Sequence, residues 1–115
     1  MITPPSGGFL VGGETIKVHI LYFSTSWCSP CKYVRRQCIP ELLRKFPRTE
    51  IKEVDAAAEA SLARKMNVQA VPTTIVMSRG KEIARRIGAF DAVALASEVR
   101  QRTRSRQFRK TDTES

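Results

Sequence analysis

Cysteine, tryptophan and histidine are scarce in this 115-residue sequence, which contains three cysteines, one tryptophan and one histidine. Three unevenly spaced cysteines are too few for the disulfide framework of a small secreted protein. No apolar run approaches the roughly 18 residues that a membrane-spanning helix needs. The opening MITPPSGG lacks the basic start and the apolar core of a secretory signal, so we expect a cytoplasmic protein.

Acidic residues are also in the minority, with 11 against 20 lysines and arginines, which gives a formal net charge of +9. Six basic residues and no acidic one lie between Arg100 and Lys110. We interpret residues 101–115 as a basic, disordered and solvated tail. The alternative is a segment that binds an anionic partner, either nucleic acid or a membrane surface.

The pattern of the chain indicates one α/β domain over residues 17–100. Residues 1–16 precede it as an irregular arm that is rich in glycine and proline and has space for one short strand. The run KVHILYFS is typical of a central strand. A helix should follow, because apolar residues recur in steps of four, and Pro40 should kink it.

A second strand, TEIKEVD, and a helix, AAAEASLARKM, come next, and Asn67 should close this helix. The segments TTIVM and EIARRIG around the turn SRGK predict a β-hairpin with Gly80 at a positive φ. Asp91 should cap a final helix that ends near Arg100. Parallel strands with an antiparallel closing pair predict a central mixed sheet flanked by helices.

The most informative stretch is WCSPC, residues 27–31, at the junction between the first strong strand and its helix. Cys28 should lie at the helix N-terminus, where unpaired amides and the helix dipole favour the thiolate, and Cys31 should lie beneath it. A stable Cys28 thiolate is also a good leaving group when Cys31 attacks a mixed disulfide. Pro30 should stiffen the turn between the two sulfurs.

Three interpretations of this pair remain open: a redox dithiol, which we favour, an inert structural pair, and part of a zinc site. Zinc would need two further ligands, for which only Cys38 and His19 are available, and His19 lies in the predicted strand. Cys38 is seven residues beyond Cys31, too far along a helix for a disulfide, so we expect an ordinary buried thiol.

Several motifs together resemble the thioredoxin family: WCSPCK, the VD at residues 54–55, AVPTTIV from residue 70, the turn SRGKE, and IGA at residues 87–89. The resemblance covers residues 17–100 and implies a thioredoxin-like fold. It implies a thiol–disulfide oxidoreductase that reduces protein disulfides by dithiol exchange, with Cys28 as nucleophile and Cys31 as resolving thiol. A competing hypothesis is a thioredoxin-fold binding module that the basic tail docks to an anionic partner.

The resemblance also implies a cis peptide bond between Val71 and Pro72, with Pro72 facing the cysteines. Substrate chains should bind to the residues Trp27, Val71, Pro72 and Gly88. The residues expected to support the active site are Trp27, Ser29, Pro30, Lys32, Pro72 and Tyr22. The family implies disulfide-containing protein substrates and recycling by a dithiol reductase or glutathione. We further expect a monomer with no metal and no cofactor besides the redox-active disulfide.

Four features depart from the family pattern. Tyr22 replaces a buried aspartate that assists proton transfer from the resolving thiol, and a tyrosine is a poor base. Ser29 stands where reductases have glycine, which leaves the redox potential open. Pro40 falls later in the helix than usual. The short N-terminal arm predicts that the first helix is missing or abbreviated.

Overall fold

The computed structural model describes residues 10–11, 14–15 and 17–114, and the side chains of residues 17–103. Within these residues there are six strands: β1 (Leu10–Val11), β2 (Glu14–Thr15), β3 (His19–Ser24), β4 (Glu50–Asp55), β5 (Thr73–Ser78) and β6 (Lys81–Ile87). The helices are α1 (Ser29–Tyr33), a π-helical segment (Val34–Cys38), α2 (Ile39–Lys45), α3 (Ala60–Lys65) and α4 (Ala92–Glu114).

The main sheet has the strand order β4-β3-β5-β6, in which β3 is parallel to β4 and antiparallel to β5. The central position predicted for the KVHILYFS strand is therefore confirmed, as is the β5–β6 hairpin. Both central residues of its turn, Arg79 and Gly80, have positive φ, as tight hairpin turns require.

Helices cover both faces of this sheet. On one face, β3, β5 and β6 pack against α2 and α4 through a core that includes Ile20, Leu42 and Leu95. On the other face, Phe23 and Ile75 pack against Ala63 of α3. No helix in the described part of the chain combines the length and apolar composition that a membrane span requires.

The short strand expected in the N-terminal arm is present as β1, which pairs with β2 in a separate two-stranded ladder. Among residues 10–11, 14–15 and 17–18 there is no helix. The other residues of the arm lie outside the described part of the chain, so the missing first helix stays a prediction.

The helix after the cysteines differs from a simple kinked helix. A π-helical segment precedes Pro40, and the Ile39 amide donates to the Val34 carbonyl five residues earlier. Because proline has no amide hydrogen, a helix that contains one must change its hydrogen-bond pattern nearby. The chain makes this change as a π turn.

The predicted end of the last helix near Arg100 is wrong, because α4 continues to Glu114. The backbone of the predicted disordered tail is thus helical up to that residue. Arg100 lies 5.3 Å from the centre of the Phe46 ring, and Arg102 donates to the Ile83 carbonyl at 3.1 Å. The helix therefore passes residue 100 in contact with the body, and the division at 100 stays a prediction.

Helix α3 ends as predicted, with Asn67 at a φ of 59°. Arg85 of β6 stabilises this end, since its guanidinium donates to the carbonyls of Met66 at 2.8 Å and Asn67 at 3.0 Å and pairs with Glu82. These bonds satisfy carbonyls that a helix terminus leaves without an intrahelical partner.

Replacing Arg85 by glutamine should lower the free energy of unfolding by about 1–2 kcal/mol, because hydrogen bonds from a charged donor to the helix end are lost. Urea unfolding measures the change. Arg64→Gln, at an exposed position of α3, is the matched control and should change stability by less than about 0.5 kcal/mol. Equal losses in the two variants would contradict this role of Arg85.

Candidate active site

Cys28 and Cys31 lie where the chain passes from β3 into α1 and are joined by a disulfide with a Cα–Cα distance of 5.3 Å. Cys28 is the N-cap residue of α1, with extended φ and ψ of −97° and 109°. Ser29 begins the helix, and Pro30 occupies one of its first two positions, where no intrahelical bond needs its missing amide hydrogen. The placement of the pair at a helix start follows the sequence prediction.

The two sulfurs differ in burial and in their hydrogen bonds. Cys28 is 8% exposed and Cys31 is 0% exposed. The Cys31 amide donates to the Cys28 sulfur at 3.1 Å, so the amides of the helix start face that sulfur. An anion at Cys28 would be stabilised by this donor and by the helix dipole. The arrangement makes Cys28 the outer sulfur and Cys31 the inner one.

Strand register brings the segment around Pro72 to the same end of the sheet. Phe23, near the end of β3, pairs with Thr73 at the start of β5, and Thr73 also pairs with Ile87 at the end of β6. The residues just beyond these three strand ends therefore lie together: the cysteine loop, Pro72 and Gly88.

The peptide bond between Val71 and Pro72 is cis, and the Gly88 amide donates to the Pro72 carbonyl at 2.8 Å. Gly88 has a φ of 84°, which favours glycine at this position. Val71 packs against the buried cluster that contains both cysteines.

Large apolar side chains are exposed at this end of the protein. Trp27, next to Cys28, is 73% exposed, and Ile87, next to Gly88, is 64% exposed. The indole is therefore not part of the core, and the predicted contact between Trp27 and substrate chains stays a prediction. Ser29 and Lys32 are also exposed, on the surface of α1.

Tyr22 lies beneath the cysteine pair and is 1% exposed. Its hydroxyl donates to the Cys31 carbonyl at 2.5 Å. Burial raises the pKa of the Tyr22 hydroxyl above its usual value near 10, and the nearby Arg35 only partly opposes this effect. The hydroxyl therefore keeps its proton at neutral pH, in agreement with the prediction that Tyr22 is a poor base.

Sequence reasoning missed a polar group beside Tyr22. Arg35 lies 5.9 Å from the centre of the Tyr22 ring and forms an ion pair with Glu53, whose carboxylate also accepts from the Ser24 hydroxyl at 2.9 Å. Its hydrogen bonds with Arg35 hold the pKa of Glu53 below its usual value. The only signal was that Glu53 faces Tyr22 in the parallel pairing of β3 and β4, which depends on a register the sequence alone does not define.

Cys38 is a buried free thiol that packs in the same cluster as the cysteine pair, so the expectation that it stays outside the disulfide is confirmed. His19 begins β3, whereas the cysteine loop follows the other end of that strand, about 16 Å away. Within the residues that the structure describes, no three potential ligands come close enough to bind a metal ion.

The thioredoxin family model matches residues 13–101 of the chain. Thioredoxin H2 of Arabidopsis thaliana is 37% identical over 76 residues, which are 66% of this chain and 56% of that protein. Thioredoxin H-type 1 of Nicotiana tabacum is 31% identical over 81 residues, which are 70% of this chain and 64% of that protein. The chain thus spans less than two thirds of the length of these two relatives.

Among solved structures, the thioredoxin of Fasciola hepatica is 27% identical and superposes with a TM-score of 0.62 over 75% of this chain and 81% of that one. The predicted α/β class, a mixed sheet flanked by helices, is therefore confirmed. The match of the family model to most of the residues, together with the shared fold and the paired cysteines at the start of α1, shows that this chain belongs to the thioredoxin family.

Proposed function

We propose that this protein is a thiol–disulfide oxidoreductase that reduces protein disulfides through Cys28 and Cys31. The observation that carries the proposal is the disulfide between an outer sulfur at a helix start and a fully buried inner sulfur. Membership of the thioredoxin family supports it. In this role the protein would take part in electron transport and redox homeostasis of the cytoplasm, acting as a monomer.

The reaction begins with both cysteines reduced. The Cys28 thiolate attacks one sulfur of a substrate disulfide, the substrate S–S bond breaks, and its other sulfur leaves as a thiolate. Cys31 then loses its proton and attacks the Cys28 sulfur, which forms the Cys28–Cys31 bond and releases the second substrate sulfur. Two electrons pass to the substrate, and a dithiol reductase or glutathione returns two electrons to the protein.

Substrate chains would bind beside the outer sulfur. The exposed indole of Trp27 offers an apolar surface, and the backbone around Val71, Pro72 and Gly88 lies at the same end of the sheet. In this proposal the Val71 backbone pairs with an extended substrate segment and Pro72 faces the cysteines, with Ser29, Pro30 and Lys32 forming the rest of the rim.

The alternative of a binding module docked by a basic segment has weaker support. Arg100 and Arg102, the first two basic residues of that segment, contact the body through Phe46 and Ile83. These contacts attach α4 to the domain. They offer no evidence for an anionic partner.

An insulin-reduction assay with dithiothreitol tests the proposal. The protein should accelerate insulin reduction, and reduction followed by iodoacetamide should lower its rate to the background, because alkylation of Cys28 removes the nucleophile. The matched control is the oxidised protein treated with iodoacetamide, in which the disulfide protects both sulfurs and activity should persist. Equal activity after both treatments would refute the proposed function.

A further inference from the structure

Tyr22 brings a hydroxyl into the buried hydrophobic cluster that contains both cysteines. The cluster's other buried members in the described residues are Cys28, Cys31, Val34, Cys38 and Ile39. An unpaired hydroxyl in such a place would be costly, so its hydrogen bond indicates where it acts. That bond goes to the main chain of the inner cysteine.

We propose that Tyr22 is a positioning residue for the second step of the reaction: its hydroxyl holds the Cys31 main chain so that the Cys31 sulfur stays aligned with the Cys28 sulfur. This inference rests on the proposed dithiol exchange. It gives the tyrosine a role that differs from accepting a proton.

The accepting carbonyl lies where the hydrogen-bond pattern of the helix changes. Cys31 lies in the last turn of α1, three residues before Val34, where the hydrogen bonding changes from α-helical to π-helical. The Val34 amide is divided between the carbonyls of Pro30 and Cys31. A carbonyl oxygen has two acceptor sites, so the Cys31 carbonyl can accept from the Tyr22 hydroxyl as well as from the Val34 amide.

The tyrosine itself is firmly held. Tyr22 lies in the middle of β3, between β4 and β5, where its backbone pairs with Glu53 and Thr74. The Arg35 guanidinium lies over its ring and is in turn held by Glu53. A donor that is fixed on the central strand can transmit that rigidity to the helix that carries Cys31.

The proton of Cys31 must leave by another route. The titratable groups that face Tyr22 are Arg35 and Cys38 from the π-helical segment and Glu53 from β4. Tyr22 donates its own proton to the Cys31 carbonyl, and Glu53 is engaged by Arg35 and Ser24. When Cys31 attacks, its proton passes to water or to the departing substrate thiolate, and the Cys28–substrate bond breaks as the Cys28–Cys31 bond forms.

The test is Tyr22→Phe, which removes the hydroxyl and keeps the ring, measured in single turnover with a disulfide peptide across pH 6–9. Formation of the mixed disulfide at Cys28 should stay within about twofold of wild type. Release of the second peptide thiol should slow by roughly five- to tenfold, as expected for a lost buried hydrogen bond. The pH midpoints of both phases should not move.

Tyr33→Phe makes the same chemical change at an exposed position of α1 and should leave both phases unchanged. Equal slowing of the two phases would show a purely structural role and overturn the inference. A shifted pH midpoint in the second phase would also overturn it, because the phenol would then take part in proton transfer. An unchanged second phase overturns this inference alone, whereas a wild-type protein that shows neither phase overturns the proposed function together with it.

Discussion

Replacing Cys31 by serine should turn the protein into a trap for its substrates. The outer thiolate at Cys28 would still form a mixed disulfide, but no inner thiol would displace the bound substrate. Because the lost step is intramolecular, with the two Cα atoms 5.3 Å apart, we expect the lifetime of the mixed disulfide to rise by on the order of 100-fold or more. Non-reducing gels with mass spectrometry measure the adduct.

Two further variants complete this experiment. Cys28→Ser removes the nucleophile, so it should form no adduct and should reduce insulin at the background rate. Cys38→Ser removes a buried thiol outside the disulfide and should behave as wild type does. If Cys28→Ser trapped as much substrate as Cys31→Ser does, the assignment of the outer and inner roles would be wrong.

Replacing Phe23 by alanine should lower the free energy of unfolding by about 3–5 kcal/mol, the usual cost of deleting a buried aromatic ring. Phe23 is fully buried between the sheet and α3, where it packs with Val54, Ala63 and Ile75. Since small domains are stable by only about 5–15 kcal/mol, this single change removes a large fraction of the total.

Urea unfolding followed by circular dichroism, with both proteins fully oxidised, measures this loss. Tyr33→Ala is the matched control, because this ring is 56% exposed, and it should change the free energy of unfolding by less than about 0.5 kcal/mol. A Phe23→Ala loss below about 1 kcal/mol would contradict the packing of this face of the sheet.

The sequence predicted most of the fold where local chemistry determines local structure. Gly80 has the positive φ expected of it, Asn67 closes α3, and Asp91 caps α4 through the amides of Val93 and Ala94. The site was predictable for a similar reason, because the cysteine pair follows directly after a recognisable buried strand. Each of these predictions depended on only a few neighbouring residues.

The predictions were wrong where a competing local interaction sets the end of a helix, or where residues far apart in the sequence meet. The helix predicted from Ala56 begins only at Ala60, because the Asp55 carboxylate accepts from the amides of Ala57 and Ala58 and forms a turn first. Helix α4 passes its predicted end because residues 101–110 contain no glycine or proline and several good helix formers. To predict the Arg35–Glu53 pair, one would have to know the register between β3 and β4, which lie about 30 residues apart in the sequence.

The exposed position of Trp27 makes the protein a natural optical reporter. Because the sequence contains no other tryptophan, all indole emission comes from a ring beside the Cys28–Cys31 bond. Spectral changes during oxidation, reduction or substrate docking therefore originate at this one location, and a time course needs no attached dye.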